Sequence, residues 1–243
     1  MSSNPETFEL NCFKRFFVIS QFIRKHNIDR FVYSDSDILC YVNYSAVAAF
    51  RKYDVGMCVP QNQDEYRWVA NCGVSLWTAA TLDSFLDYCT EIYSKRIELL
   101  EEKWNYHISN GVAGGICDMT LQYLWYAQAD EYSKLNLAIA STELGGVVDY
   151  NVNSEINYLD NEYQRSKRYG IKAIEFHDGS PYFVKQDSER VKALSIHFLG
   201  GAKRWLCDYQ RYMKPSAETL RQYRINNLKH SIKQLIKKLI RRS

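Results

Sequence analysis

Segments of helical spacing alternate with strand-like apolar runs along this chain, and that interleaving favours an α/β fold. Behind Pro5 and Glu6, Phe13, Phe16, Phe17, Phe22 and Ile23 predict an amphipathic helix that ends near His26 and Asn27. Residues 30–33 then read as a buried strand running into Ser34-Asp35-Ser36-Asp37. Asn43 is placed to cap a short helix through Phe50. Residues 55–59 predict a strand stopped by Pro60, 61–67 a polar loop, and 68–77 a strand-like run interrupted at Asn71-Cys72-Gly73. A long helix is expected from Thr81 or Asp83 to Trp104. Gly111, Gly114 and Gly115 break the chain before a helical pattern that opens at Asp118. Further strands are expected over 136–140, 171–176, 181–184 and 193–198. The middle two flank Asp178-Gly179, a hairpin signal. Gly200-Gly201 then leads into a helix over 202–213, and Pro215 separates a domain of residues 1–214 from a tail of 215–243.

Several function classes are disfavoured by composition. The seven cysteines are odd in number, form no C-x-x-C pair and sit mostly in apolar stretches, against a disulfide framework or a zinc ribbon. A reducing, cytoplasmic setting is expected. No apolar run approaches the roughly 20 residues that span a bilayer, and residues 1–10 lack the features of a signal peptide. The net charge of +3 is a property of the tail, since 219–243 carry Lys and Arg but no Asp or Glu. A nucleic-acid-binding core is therefore not indicated.

Two stretches carry chemistry. In Tyr33-Ser34-Asp35-Ser36-Asp37-Ile38-Leu39, two carboxylates stand one residue apart where a strand ends. Ligands of open α/β sheets bind outside the carboxyl ends of strands, and paired carboxylates suit a hard divalent cation with room left for phosphate oxygens. A pair of solvated turn aspartates would give the same letters; the apolar strand upstream favours the metal. The second stretch is Ile196-His197-Phe198-Leu199-Gly200-Gly201-Ala202-Lys203-Arg204-Trp205. There an imidazole is a candidate metal ligand, the glycines let backbone approach phosphate, and Lys203 at a helix N-terminus favours an anion.

Together these stretches resemble the GT-A glycosyltransferases, most closely those of family eight, which include glycogenin and bacterial galactosyltransferases. In that family D-x-D follows a strand and holds manganese with the nucleotide diphosphate, and a H-F-x-G-x-x-K-P-W-like motif lies near the C-terminal end. Here Arg204 replaces the Pro. The resemblance implies Asp35, Asp37 and His197 as ligands of Mn2+ or Mg2+, with Asp35, Ser36, Gly73, Gly200 and Lys203 on the donor side. Asn71-Cys72-Gly73-Val74 resembles the N-A-G-V segment, whose Asn meets the donor sugar. Gly115-Ile116-Cys117-Asp118-Met119 resembles the segment of the D-Q pair, with Met119 in place of Gln. Asn71 and Asp118 are thus the implied catalytic pair, although a carboxylate at the start of a helix also satisfies backbone donors. Only 34 residues precede Asp35, so the nucleotide-binding unit is expected to be N-terminally incomplete.

The resemblance implies a GT-A-like mixed sheet flanked by helices, and transfer of a hexose from a UDP-sugar donor to a glycan or lipid-linked acceptor. A basic amphipathic C-terminal helix is expected too: Ile225, Leu228, Ile232, Leu235, Ile236, Leu239 and Ile240 recur at helical spacing among Lys and Arg. Residues 219–243 suit an anionic membrane surface, which would place the protein peripherally at the inner face of a membrane. A non-catalytic membrane-associated module is the alternative. A phosphohydrolase with Asp35 as nucleophile is a further one, and it lacks a convincing second acidic pair.

Overall fold

The computed structural model describes residue 2, residues 4–212 and scattered positions between 217 and 229. The expected basic helix of 215–243 and its membrane contact over 219–243 therefore lie outside the described residues. Among the described residues no helix is long and apolar enough to cross a membrane, and the seven cysteines are free thiols.

The chain is mixed α/β, with mixed sheets flanked by helices. Helix α1 (Glu6–Lys25) opens with Glu6 and Glu9 and closes with Arg24 and Lys25, charges that complement the helix dipole. Phe16, Ser20 and Ile23 form its buried stripe. Strands β1 (Arg30–Ser34) and β2 (Ile38–Cys40) follow. Asn43 does cap a turn, a 3-10 helix at Tyr44–Ala46, and a separate short helix α2 (Ala49–Lys52) comes after it. Strands β3 (Val55–Cys58) and β4 (Asn71–Thr78) are both buried. Asn71-Cys72-Gly73 belong to β4, but the ladder is irregular there: β1 pairs only with Val74–Thr78, and the β3 register shifts between the pairs Gly56–Leu76 and Cys58–Asn71.

The predicted long helix is two helices, α3 (Ala79–Lys95) and α4 (Ile97–Asn110). α3 starts earlier than expected because Thr78 is its cap, and Thr81 closes a capping box with it. Arg96, at φ −139° and ψ 33°, breaks the run without any Gly or Pro to announce it. Gly111 ends α4 in the left-handed conformation. Helix α5 (Asp118–Gln128) is followed by β5 (Lys134–Asn136), β6 (Val147–Val148), β7 (Ile174–His177), β8 (Ser180–Val184) and β9 (Arg190–His197). The β7–β8 hairpin turns at Asp178 and Gly179, both at positive φ as a tight primed turn requires. A 3-10 segment (Gly200–Trp205) and α6 (Leu206–Tyr212) replace the single helix expected over 202–213.

One sheet has the order β1-β4-β3-β5 and the other β2-β9-β8-β7, with β6 parallel to β9. α1, α3 and α5 cover the first sheet over a core that includes Phe16, Trp77, Phe85 and Trp125. The indoles of Trp77 and Trp125 stack there at 5.5 Å. Tyr163, Phe183, Phe198 and Trp205 are in the core of the second sheet. Val74, Leu76, Val148 and Leu194 share a third cluster that joins the two. The acidic segment is the crossover between the sheets: β1 ends at Ser34 in one, and β2 starts at Ile38 in the other. Because β2 is antiparallel to β9 with Ile38 opposite His197, the register alone carries Asp37 to the end of β9.

Candidate metal centre

The Phe198 N–H donates to the Asp37 carbonyl at 2.9 Å, extending the β2–β9 ladder by one bond, and the Asp35 N–H donates to the Gly73 carbonyl at 2.8 Å. Backbone pairing thus pins both aspartates, one to each sheet. Asp35, Asp37 and His197 each bring one ligand atom within 4.8 Å of the others. Around one ion with bonds of about 2.1 Å, opposite ligands stand about 4.2 Å apart. Three ligands cannot all be opposite one another, so the group must close further than that to share a cation; His197 and Asp37, at 3.4 Å, already stand near adjacent-ligand spacing.

His197 is shaped for that task. Its side chain is 3% exposed. Its Nδ1 lies 3.2 Å from the Tyr150 carbonyl, which only accepts, so Nδ1 carries a proton, and a metal-binding ring would turn the lone pair of Nε2 to the ion. Nε2 is buried without a hydrogen-bond partner and faces Asp37 Oδ1 at 3.4 Å. A lone pair against a carboxylate oxygen is repulsive unless a cation or a proton lies between them. Lys203 Nζ neutralises the other Asp37 oxygen at 3.0 Å, from a side chain 60% exposed and able to swing away.

Behind the imidazole lies a buried ionic network absent from the sequence reading. Asp149 Oδ2 accepts from the His197 N–H at 2.9 Å. Asp149 Oδ1 pairs with Lys172 Nζ at 2.5 Å, both side chains being fully buried. Lys172 also donates to Asn157 Oδ1, which in turn accepts from the Tyr150 N–H at 2.8 Å. One network therefore holds both the backbone of the ligand and the carbonyl that sets its tautomer, the outer-shell arrangement that tunes metal-binding histidines.

Arg15 of α1 is the second residue missed from sequence. Its Nη1 donates to Asp35 Oδ1 at 2.9 Å and its Nη2 to Asp118 Oδ2 at 2.5 Å. The Tyr33 hydroxyl also donates to Asp35 Oδ1. Burial opposes the charge on Arg15, but Cys72, Asp118, Tyr33 and Asp35 around it hold its pKa above the ordinary value. Burial raises the Asp118 carboxyl, and Arg15 pulls it back. Asp118 meets the helix-start expectation, its Oδ1 accepting from the Met119 N–H at the start of α5. The only sequence signal for Arg15 was a cation inside an apolar helical stretch, next to Lys14, where a solvated face is the simpler reading.

The remaining predicted residues divide. Asn71 is buried with both ends of its amide engaged: Nδ2 donates to the Tyr150 carbonyl at 2.9 Å, and Oδ1 accepts from the Gly73 N–H at 2.6 Å. It braces His197 rather than offering an open hand to a sugar. Gly73 lies against the imidazole, where a Cβ would come within 2.9 Å of His197 Cε1 and Nδ1. Ser36 is exposed between the aspartates. Gly200 stands at φ 57°, a conformation that favours glycine, with open space where a Cβ would be; among the described residues no side-chain hydrogen bond or ion pair ties Ser36 or Gly200 to the centre. Two carboxylates and a neutral imidazole suit Mn2+, or Mg2+ with less nitrogen preference. Compared with known protein families, curated proteins and solved structures, the chain matches none.

Proposed function

We propose that this chain is a metal-dependent glycosyltransferase of GT-A-like fold that moves a hexose from a UDP-hexose to a glycan or lipid-linked acceptor. The observation that carries the reading is the meeting of Asp35, Asp37 and His197, from distant parts of the sequence, at one cation-sized site. The orphaned Nε2 of His197 supports it, as does an exposed cation at the rim, Lys203. When bound there, Mn2+ or Mg2+ supplies electrostatic stabilisation of the departing diphosphate. Asp35, Asp37 and His197 hold the ion. Lys203 leaves Asp37 and takes the charge of the phosphates. Arg15 fixes Asp35 and Asp118 relative to one another, and Asp118 faces the donor. Asn71 keeps the His197 ring and the Tyr150 carbonyl in register.

Titration calorimetry with Mn2+ and UDP tests the site. Wild-type protein is expected to bind UDP only with the metal, and Asp37→Ala to abolish both metal binding and donor turnover; an unaffected variant refutes the assignment. A second reading, a non-catalytic binding module, draws on Met119, a thioether where the resembled family carries an amide. It predicts metal and nucleotide binding with no hydrolysis or transfer of the donor.

A further inference from the structure

A cavity of about 550 Å³ lies between α4, the loop before β4 and the segment that opens α5. Val69 and Met119 line it, two residues before Asn71 and one after Asp118. We propose that this cavity is a binding site for a neutral, hydroxyl-rich sugar ring, the acceptor end of a glycan. The proposal rests on the glycosyl-transfer reading for the word acceptor, but the binding itself stands without it.

The first observation is His107. It is 5% exposed, and neither ring nitrogen makes a well-formed hydrogen bond, the Tyr66 backbone being the one polar group near enough to act on the ring. It lines the cavity opposite Gly114, whose absent side chain leaves space in front of Nδ1. Burial, then Lys103, lower its pKa, so at neutral pH the ring is uncharged, with one donor and one acceptor. A hydroxyl, which both donates and accepts, satisfies such a ring; a phosphate, which at neutral pH mainly accepts, does not.

The second observation is the charge inventory of the lining. Its cations are already committed. Lys103 Nζ donates to the Arg67 and Trp68 carbonyls and to Thr120 Oγ1, and Arg67 pairs with Asp160. The carboxylates of Asp64 and Glu65 are exposed at the cavity and carry no hydrogen bond or ion pair among the described residues. Unpaired carboxylates beside committed cations reject an anion and accept from sugar hydroxyls. Trp68 adds a flat aromatic wall, braced by Tyr66 at 4.9 Å. Glu65, Tyr66 and Trp68 all hold positive φ, strain that Lys103 sustains by gripping the Arg67 and Trp68 carbonyls.

The full chain, labelled with 13C at histidine Cε1, tests this without metal or nucleotide. The probes are the methyl glycosides of glucose, galactose, mannose and N-acetylglucosamine, lactose, and inorganic phosphate. Saturable binding of at least one sugar is expected to shift the His107 signal. His107→Gln, read from ligand saturation, and Asp64→Asn at the exposed rim should each weaken it roughly fivefold or more, the worth of one hydrogen bond. Mn2+ binding measured on the same samples reports separately on the metal centre. The proposal is overturned if no sugar binds, if sugar binding ignores both His107→Gln and Asp64→Asn, or if phosphate and not sugar moves the His107 signal.

Discussion

Gly73→Ala isolates the packing of the metal ligand from its chemistry. The added Cβ would lie 2.9 Å from Asn71 Oδ1 and from His197 Cε1 and Nδ1. Ordinary contact begins near 3.4 Å, so ring and amide must retreat by about half an ångström. The ring cannot retreat freely, because Nδ1 is held by the Tyr150 carbonyl and its backbone by Asp149. Metal–ligand distances tolerate only about 0.2 Å, so Nε2 is carried out of range. Overpacking of this kind costs about 1–3 kcal/mol of stability. Disturbing the support of a ligand typically costs about 10–100-fold in metal affinity. Gly56→Ala in the same sheet is the control: its closest new contact is 3.3 Å to a Leu137 methyl group, which can rotate away. Urea denaturation and Mn2+ calorimetry on both variants measure the effect. If Gly73→Ala binds Mn2+ as tightly as Gly56→Ala does, His197 is not a ligand and the centre as drawn is wrong.

Lys172→Met leaves the Asp149 carboxylate buried and without its cation. It should cost about 3–5 kcal/mol in denaturant unfolding, with part recovered by adding Asp149→Asn; a loss below about 1 kcal/mol would show that the network is not the prop it resembles. His107 gives a pH dependence. Its folded pKa lies below the unfolded value of about 6.5. The unfolded chain therefore binds the proton first as pH falls, and stability drops from about pH 6.5 down to the folded pKa. His107→Gln should flatten that part of the acid limb in thermal scans from pH 7 to 5, and an unchanged slope would refute the neutral-ring assignment.

Local patterns carried the elements where one residue dominates a local choice. Asn43 caps, Asp178-Gly179 turns and Gly111 ends a helix because side-chain or φ requirements act within a few residues. The same reasoning failed where partners are distant. Nothing near Arg96 announces the break between α3 and α4. β2 and β6 are too short to show a period, and exist because β9 offers both its edges. Asn71-Cys72-Gly73 read as an interruption because a polar residue and a glycine look like a turn; the segment stays within β4, and its irregularity survives as a shift of register against β3.

The sequence by itself determined that helices and strands alternate, that two carboxylates end a strand, and that an imidazole ends another before glycines and a lysine. Those are properties of neighbouring residues. Only the tertiary structure decided that Ile38 pairs with His197, so that the two halves meet. It alone also brought Arg15 to Asp35 and Asp118, and set Asp149 and Lys172 behind the imidazole. The physical reason lies in which groups do the work. The Tyr150 carbonyl that sets the His197 tautomer is a backbone group every residue possesses, and a buried ion pair is written in letters that elsewhere mean solvent.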